Sequence, residues 1–115
     1  MKEIIAGEKG KGKTKELLAK VNHSVTAASG NIVYLDKSQK HMYELNNKVR
    51  LINVMDYPID NCDEFLGFLC GIVSQDHDLE EMYLDSFLSI ACWISSSVSV
   101  NAIVRKLSRY ISSRS

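Results

Sequence analysis

The sequence predicts an α/β fold, a three-layer sandwich around a mainly parallel sheet of four to five strands. Two observations lead there. Short apolar runs alternate with stretches of helical period in the order strand, helix, strand, strand, helix, strand, the rhythm of βαβ units. The runs are rich in β-branched and aromatic residues and are bounded by glycine, asparagine, aspartate or proline. The chain has 115 residues, 45% of them hydrophobic and 24% charged, which suits one domain with its own core and argues against a disordered or fibrous chain.

Ile4-Ile5-Ala6 is a short apolar strand that stops at Gly7. From Lys13 a helical period sets in, with Leu17, Leu18, Val21, Val25 and Ala28 on one face and Ser29-Gly30 as the stop. Asn31 to Asp36 contains Ile32, Val33, Tyr34 and Leu35 and reads as a buried strand. Residues 37–47 are polar, a short helix or a loop with one turn, with Met42 and Leu45 expected to face inward. Val49 to Val54 reads as a third strand, broken at Tyr57-Pro58.

A second helix is expected from about Cys62, capped by Asp60 or Asn61 and carrying Asp63 and Glu64 in its first turn, where they suit the helix dipole. Its stripe is Phe65, Phe68, Leu69, Ile72 and Val73, and Gly67 and Gly71 are expected to admit a neighbouring backbone. Gln75-Asp76-His77-Asp78 turns into a fourth strand, Met82-Tyr83-Leu84, ending at Asp85. Residues 86–115 are serine-rich, with ten serines, and hold no acid. Phe87 to Ile94 is apolar enough for a helix or strand. Val100, Ile103, Val104, Leu107, Tyr110 and Ile111 fit the stripe of a C-terminal amphipathic helix over about Val98 to Ile111.

The formal charge is zero, but it is unevenly spread. Residues 1–50 carry ten Lys/Arg and five Asp/Glu, residues 51–90 nine acids and no Lys or Arg, and residues 91–115 four bases and no acid. A contact between the acidic middle and the basic tail, within one chain or between protomers, is one expectation from this pattern. Four bases are too few to argue for nucleic acid. No apolar stretch approaches the ~20 residues of a bilayer span, and the opening residues lack a leader pattern, so a cytoplasmic location is expected. Cys62, Cys70 and Cys92 match no zinc or redox spacing and read as small buried hydrophobes.

One motif carries chemistry. Gly7-Glu8-Lys9-Gly10-Lys11-Gly12-Lys13-Thr14 has a glycine, four residues, then glycine-lysine-threonine. Such a loop wraps phosphates with backbone N–H groups, and its glycines let the chain turn and lie against the ligand without a Cβ. Lys13 would reach the β- and γ-phosphates and the Thr14 hydroxyl would ligate Mg²⁺, with the following helix pointing its positive end at the same phosphates. Lys9, Lys11 and Lys15 add positive charge in or beside the loop.

On these residues the chain resembles the P-loop NTPases. The resemblance implies a RecA-like nucleotide-binding fold and a second element, an apolar strand ending in an aspartate that holds Mg²⁺ through water. Three aspartates compete for that role, Asp85, Asp36 and, loosely, Asp56. Asp85 is favoured because of the clean run before it and because RecA-like members place further strands ahead of that aspartate. RecA-like ATPases carry a glutamate directly after it, whereas here the residue is Ser86, and Glu80 and Glu81 stand at the far end of the strand. No arginine lies between Arg50 and Arg105, so an arginine finger in cis would have to come from the basic tail or Arg50, and a kinase lid is argued against.

Up to Asp85 the chain is also similar to small single-domain bacterial proteins labelled twitching-motility (PilT-like) ATPases. This likeness rests on Lys2–Thr14, on Val33-Tyr34-Leu35-Asp36-Lys37 with His41-Met42-Tyr43, and on Ile52-Asn53-Val54 before Tyr57-Pro58. What it implies is the nucleotide fold rather than a motor, since 115 residues are too few for a retraction motor's further domain and boxes. The expectation is Mg²⁺-dependent binding of ATP, or less favourably GTP, with slow or partner-dependent hydrolysis. The alternative is a non-catalytic nucleotide- or phosphate-binding module. A protein partner or a homo-oligomer fits either reading. His23, His41 and His77 are scattered and read as surface or capping residues.

Overall fold

Among the described residues, two amphipathic helices and four short strands supply most of the core. The computed structural model describes residues 3–6, 13–37, 39–59, 62–85 and 105–110. In order these form β1 (Glu3–Ala6), α1 (Lys13–Ala27), β2 (Asn31–Asp36), β3 (Val49–Asn53), a 3₁₀ turn (Val54–Asp56), α2 (Cys62–Gln75) and β4 (Leu79–Leu84). The strands make one sheet in the order β1-β4-β2-β3, and every pairing is parallel. Parallel neighbours require crossovers: α1 lies in the one from β1 to β2, α2 in the one from β3 to β4, and the connection from Asp36 to Val49 joins β2 to β3 without a helix of its own.

Alternation along each strand sorts the core into two layers. Leu17, Leu18, Val21 and Val25 of α1 pack on Ile32, Tyr34, Val49 and Tyr83, with Ile5 beside them. On the other face Phe65 and Leu69 of α2 pack on Val33, Leu35, Ile52, Met82 and Leu84, with Ile4 beside them. Burying each such side chain stabilises the fold by roughly 1.5–3 kcal/mol. The sheet therefore has α1 on one side and α2 on the other, as the alternation of strands and helices predicts. Residues 105–110 are helical, and their Leu107 is buried in the α2-side core, while Arg105, Lys106 and Arg109 are exposed. The rest of the expected 98–111 helix lies outside the described residues, as do Phe87 to Ile94 and the Asp60 and Asn61 caps.

Four expectations are corrected. β3 ends at Asn53, because the Asn53 side chain accepts the Met55 N–H at 3.1 Å and turns the chain into the 3₁₀ turn. β4 begins at Leu79, three residues earlier than expected, so Glu80 and Glu81 lie within it. Met42 is 45% exposed, whereas Leu45 is buried beneath α1, where Asn22 brackets the loop by donating to the Glu44 carbonyl and accepting the Asn46 N–H. Among the described residues no backbone approaches Gly67 or Gly71, since a Cβ at either would meet none of them within 4 Å.

At the amino edge of the sheet, close approach does require a glycine. A Cβ on Gly30 would overlap the Asp78 carbonyl oxygen and stand 2.7 Å from Cγ of Glu80. The chain is tied there by Asn31 N–H to the Asp78 carbonyl, 2.7 Å, and by the Ser29 hydroxyl to Glu80 Oε1, 2.6 Å. The Asn31 amide also donates to both oxygens of Asp76. A shift in the β2–β4 register sits beside these contacts, between Asn31 and Ile32. Among the described residues no helix is long and apolar enough to cross a membrane.

Candidate functional site

The carboxyl edge of a parallel sheet is where strand ends, loops and helix N-termini converge. β1 ends there at Ala6 and α1 starts there at Lys13, so the glycine-rich motif joins a strand to a helix. Gly7, Glu8, Lys9, Gly10, Lys11 and Gly12 lie outside the described residues. Lys13 opens α1, and Thr14 follows it, partly buried, in the first turn. The first N–H groups of a helix have no intrahelical acceptor and carry the positive end of the dipole, which makes this turn suited to an anion.

Two aspartates share this edge. Asp36 is the last residue of β2, and Asp85 follows the last residue of β4. Leu35 and Leu84 are paired across the two strands, which sets the aspartates side by side. By strand alternation both fall on the α1 face, the parity of Tyr34 and Tyr83. Asp36 is 1% exposed and Asp85 is fully buried. β4 adjoins β1 directly, so Asp85 stands on the strand next to the one that carries the loop, and Asp36 one strand farther away. The third candidate, Asp56, is exposed in the 3₁₀ turn beyond β3 and pairs with its own turn through Asn53 Nδ2, 3.4 Å. The structure thus brings Asp36 and Asp85 together and leaves Asp56 out.

The electrostatics of the pair are unusual for a protein interior. Asp36 Oδ1 accepts the Lys37 N–H at 2.7 Å, but its Oδ2 is buried and among the described residues has no hydrogen-bond partner. Burial, and then the charge of Asp85, push the Asp36 carboxyl above its ordinary pKa; the Lys37 N–H and the charges of His41 and Lys40 pull the other way. β2 holds Asp85 in two ways. The Asp85 N–H donates to the Leu35 carbonyl, 3.0 Å, and its Oδ2 accepts the Tyr34 hydroxyl, 2.9 Å. Burial, reinforced by Asp85, keeps that phenol protonated far beyond its usual range, so it serves as a donor.

Tyr34 is the residue that reading the sequence missed. Its signal is a tyrosine on the α1-facing register of β2, two residues before a strand-end aspartate. A fully buried hydroxyl demands a partner, and among aliphatic neighbours a strand-end carboxylate is the candidate acceptor.

The other candidates stand elsewhere. Glu80 and Glu81 lie at the amino end of β4, far along the strand from Asp85. His23 and His77 are exposed, and the His41 ring lies 3.2 Å from Glu44 Oε2 on the surface. Cys70 is a free thiol on α2, pushed up in pKa by burial and so poorly nucleophilic. A groove of about 480 Å³ between β3 and α2, lined by Arg50, Tyr57, Phe68 and Gln75 among others, opens on the face away from α1. Among the described residues no group of three or more His, Cys, Asp or Glu forms a metal site. In comparisons with known proteins, no family model, no curated protein and no solved structure matches the chain.

Proposed function

We propose that the chain binds a purine nucleotide together with Mg²⁺, ATP in preference to GTP, through Gly7–Thr14. The observation that carries this reading is the context of the motif. Its glycine-lysine-threonine end runs into the first turn of α1, and its first glycine follows β1 at the carboxyl edge of a parallel sheet. A phosphate loop needs that strand-to-helix setting to aim backbone N–H groups and a helix N-terminus at one anion. In this reading the loop cradles the phosphates, Lys13 offsets charge on the β- and γ-phosphates, and Thr14 and Asp85 attend the metal.

The donor set fits Mg²⁺. A hard cation of this kind keeps several waters and takes one or two carboxylates besides the phosphates, and two buried aspartates stand at this edge, one with an oxygen unpartnered among the described residues. Thr14 and Asp85 would hold the cation, which would supply positive charge against the phosphates. The chain's own contribution is to orient: β2 holds the backbone of Asp85 through the Leu35 carbonyl and its carboxylate through the buried Tyr34 hydroxyl.

Thermal denaturation with ATP and GTP, each with and without Mg²⁺, tests the reading. Saturation at 100 Kd corresponds to about 2.7 kcal/mol of stabilisation. Lys13→Ala is expected to abolish the nucleotide-dependent rise in Tm, and Asp85→Asn to remove its Mg²⁺ dependence. No rise with any nucleotide overturns binding. A second reading, a module that uses nucleotide as a structural or regulatory ligand without turnover, is favoured by Ser86 standing where a base would follow Asp85. Phosphate release at the background rate, with binding intact, selects it.

A further inference from the structure

We infer that Tyr34 is a positioning residue for Asp85, its hydroxyl holding the aspartate's carboxylate in the one orientation that serves a cation at the carboxyl edge. This inference rests on the nucleotide–Mg²⁺ reading of the site and assigns a role that the motif does not contain.

The argument begins with the cost of the hydroxyl. Tyr34 is fully buried in the middle of β2, with Ile32, Val49, Val21 and Leu45 in the same apolar cluster. A phenylalanine would fill that space without bringing a polar atom inside. Leaving a buried hydroxyl unpaired is unfavourable, so its acceptor explains its presence. That acceptor is Asp85 Oδ2 at 2.9 Å.

Register makes the contact. Tyr34 pairs with Tyr83 across β2 and β4, so Asp85 lies two residues farther along on the same face. Two strand residues rise about 6.6 Å, a span that a tyrosine leaning along its strand bridges. The backbone of Asp85 is anchored to the same strand through the Leu35 carbonyl, 3.0 Å. β2 thereby fixes Asp85 at two points, one on its main chain and one on its carboxylate. Asp36 supplies the reason such a restraint is needed. Its carboxyl sits beside Asp85 and, among the described residues, its Oδ2 has no hydrogen-bond partner, so it offers the Asp85 carboxylate no hydrogen bond to hold it in place. The hydrogen bond from Tyr34 supplies that hold. Second-layer partners of this type, which orient a ligand without touching the metal, carry 10–100-fold of metal affinity.

The test is the Mg²⁺ dependence of ATP-induced stabilisation, in wild type, Tyr34→Phe, Asp85→Asn and the double variant. Tyr34→Phe is expected to raise the Mg²⁺ concentration for half-maximal effect about 10-fold or more, and to leave the rise in Tm given by ATP in chelator unchanged. In the Asp85→Asn background the same substitution is expected to change nothing further. An unaltered Mg²⁺ requirement in Tyr34→Phe overturns this inference alone, and so does a parallel loss of metal-free ATP binding, which would mark Tyr34 as merely structural. Absence of any Mg²⁺ dependence in the wild type overturns the nucleotide–Mg²⁺ reading and this inference with it. Should Tyr34→Phe fail to fold, a folded double variant supports the coupling, because the fault then lies in the stranded carboxylate; an unfolded double variant overturns it.

Discussion

The two edges of the sheet are built on opposite principles. At the amino edge, Ser29, Gly30 and Asn31 meet Asp76, Asp78 and Glu80 in a set of short hydrogen bonds, and the backbone approach is so close that only glycine fits. At the carboxyl edge, two aspartates are buried together and one carboxylate oxygen has no partner among the described residues. Polar groups at the first edge are satisfied by the fold itself. At the second they are held at a cost, the arrangement expected where a ligand completes the set.

Substitutions at each edge test this contrast. The largest effect is expected at the amino edge. Gly30→Ala drives a methyl group into the Asp78 carbonyl, which belongs to the backbone and cannot rotate away. A loss of about 2–3 kcal/mol is expected, roughly 10 °C in Tm by calorimetry, with ATP-induced stabilisation retained in the folded fraction. A neutral Gly30→Ala would show that this edge is not locked.

At the carboxyl edge the sign reverses. The folded state raises the pKa of Asp36, so it holds that proton more tightly than the unfolded chain does. The contribution of this group is therefore fully present below the ordinary carboxylate pKa and is lost as pH rises through the raised folded value. Asp36→Asn removes the buried charge, and its amide can donate to the neighbouring carboxylate. It is expected to raise stability by about 1–3 kcal/mol near neutral pH and by much less at about pH 4, measured by denaturant titration at both. A destabilised variant at neutral pH would break the contrast between the edges.

The smallest effect concerns neither edge. Gly67→Ala and Gly71→Ala in α2 meet none of the described residues and are each expected to add about 0.5–1 kcal/mol. Equal shifts at the two sites would set the scale against which the edge effects are read.

Much of the fold was legible because it depends on local period. The Leu17–Val25 stripe and the Ile32–Leu35 run each name their element and their buried face. What failed involved information that period does not carry. Gly67 is two residues on from Phe65, about 200° around the helix, and so faces away from the core despite its spacing from Gly71. The early end of β3 follows from one side-chain hydrogen bond at Asn53, which hydrophobic pattern overlooks. The site was legible as chemistry but not as an assembly. Asp36 and Asp85 were each visible as strand-end carboxylates, while their adjacency depends on β4 entering between β1 and β2, a long-range choice. Tyr34 was hidden for the same reason, since its acceptor is 51 residues away in sequence.

The strand order also bears on how the molecule comes together. Among the described residues β1 is paired with β4 alone, so the strand that leads into Gly7–Thr14 takes its ladder hydrogen bonds from Leu79–Leu84, near the other end of the described sheet sequence. Closing so long a loop is slow, and it comes after the local contacts of α1 with β2 and β3. A chain still being synthesised and halted before Leu79 would have its glycine-rich motif translated early, with β1 lacking its strand partner. Competence to hold a ligand would then arrive late and abruptly, with the docking of β4, which brings Asp85 and the seat for β1 in a single step.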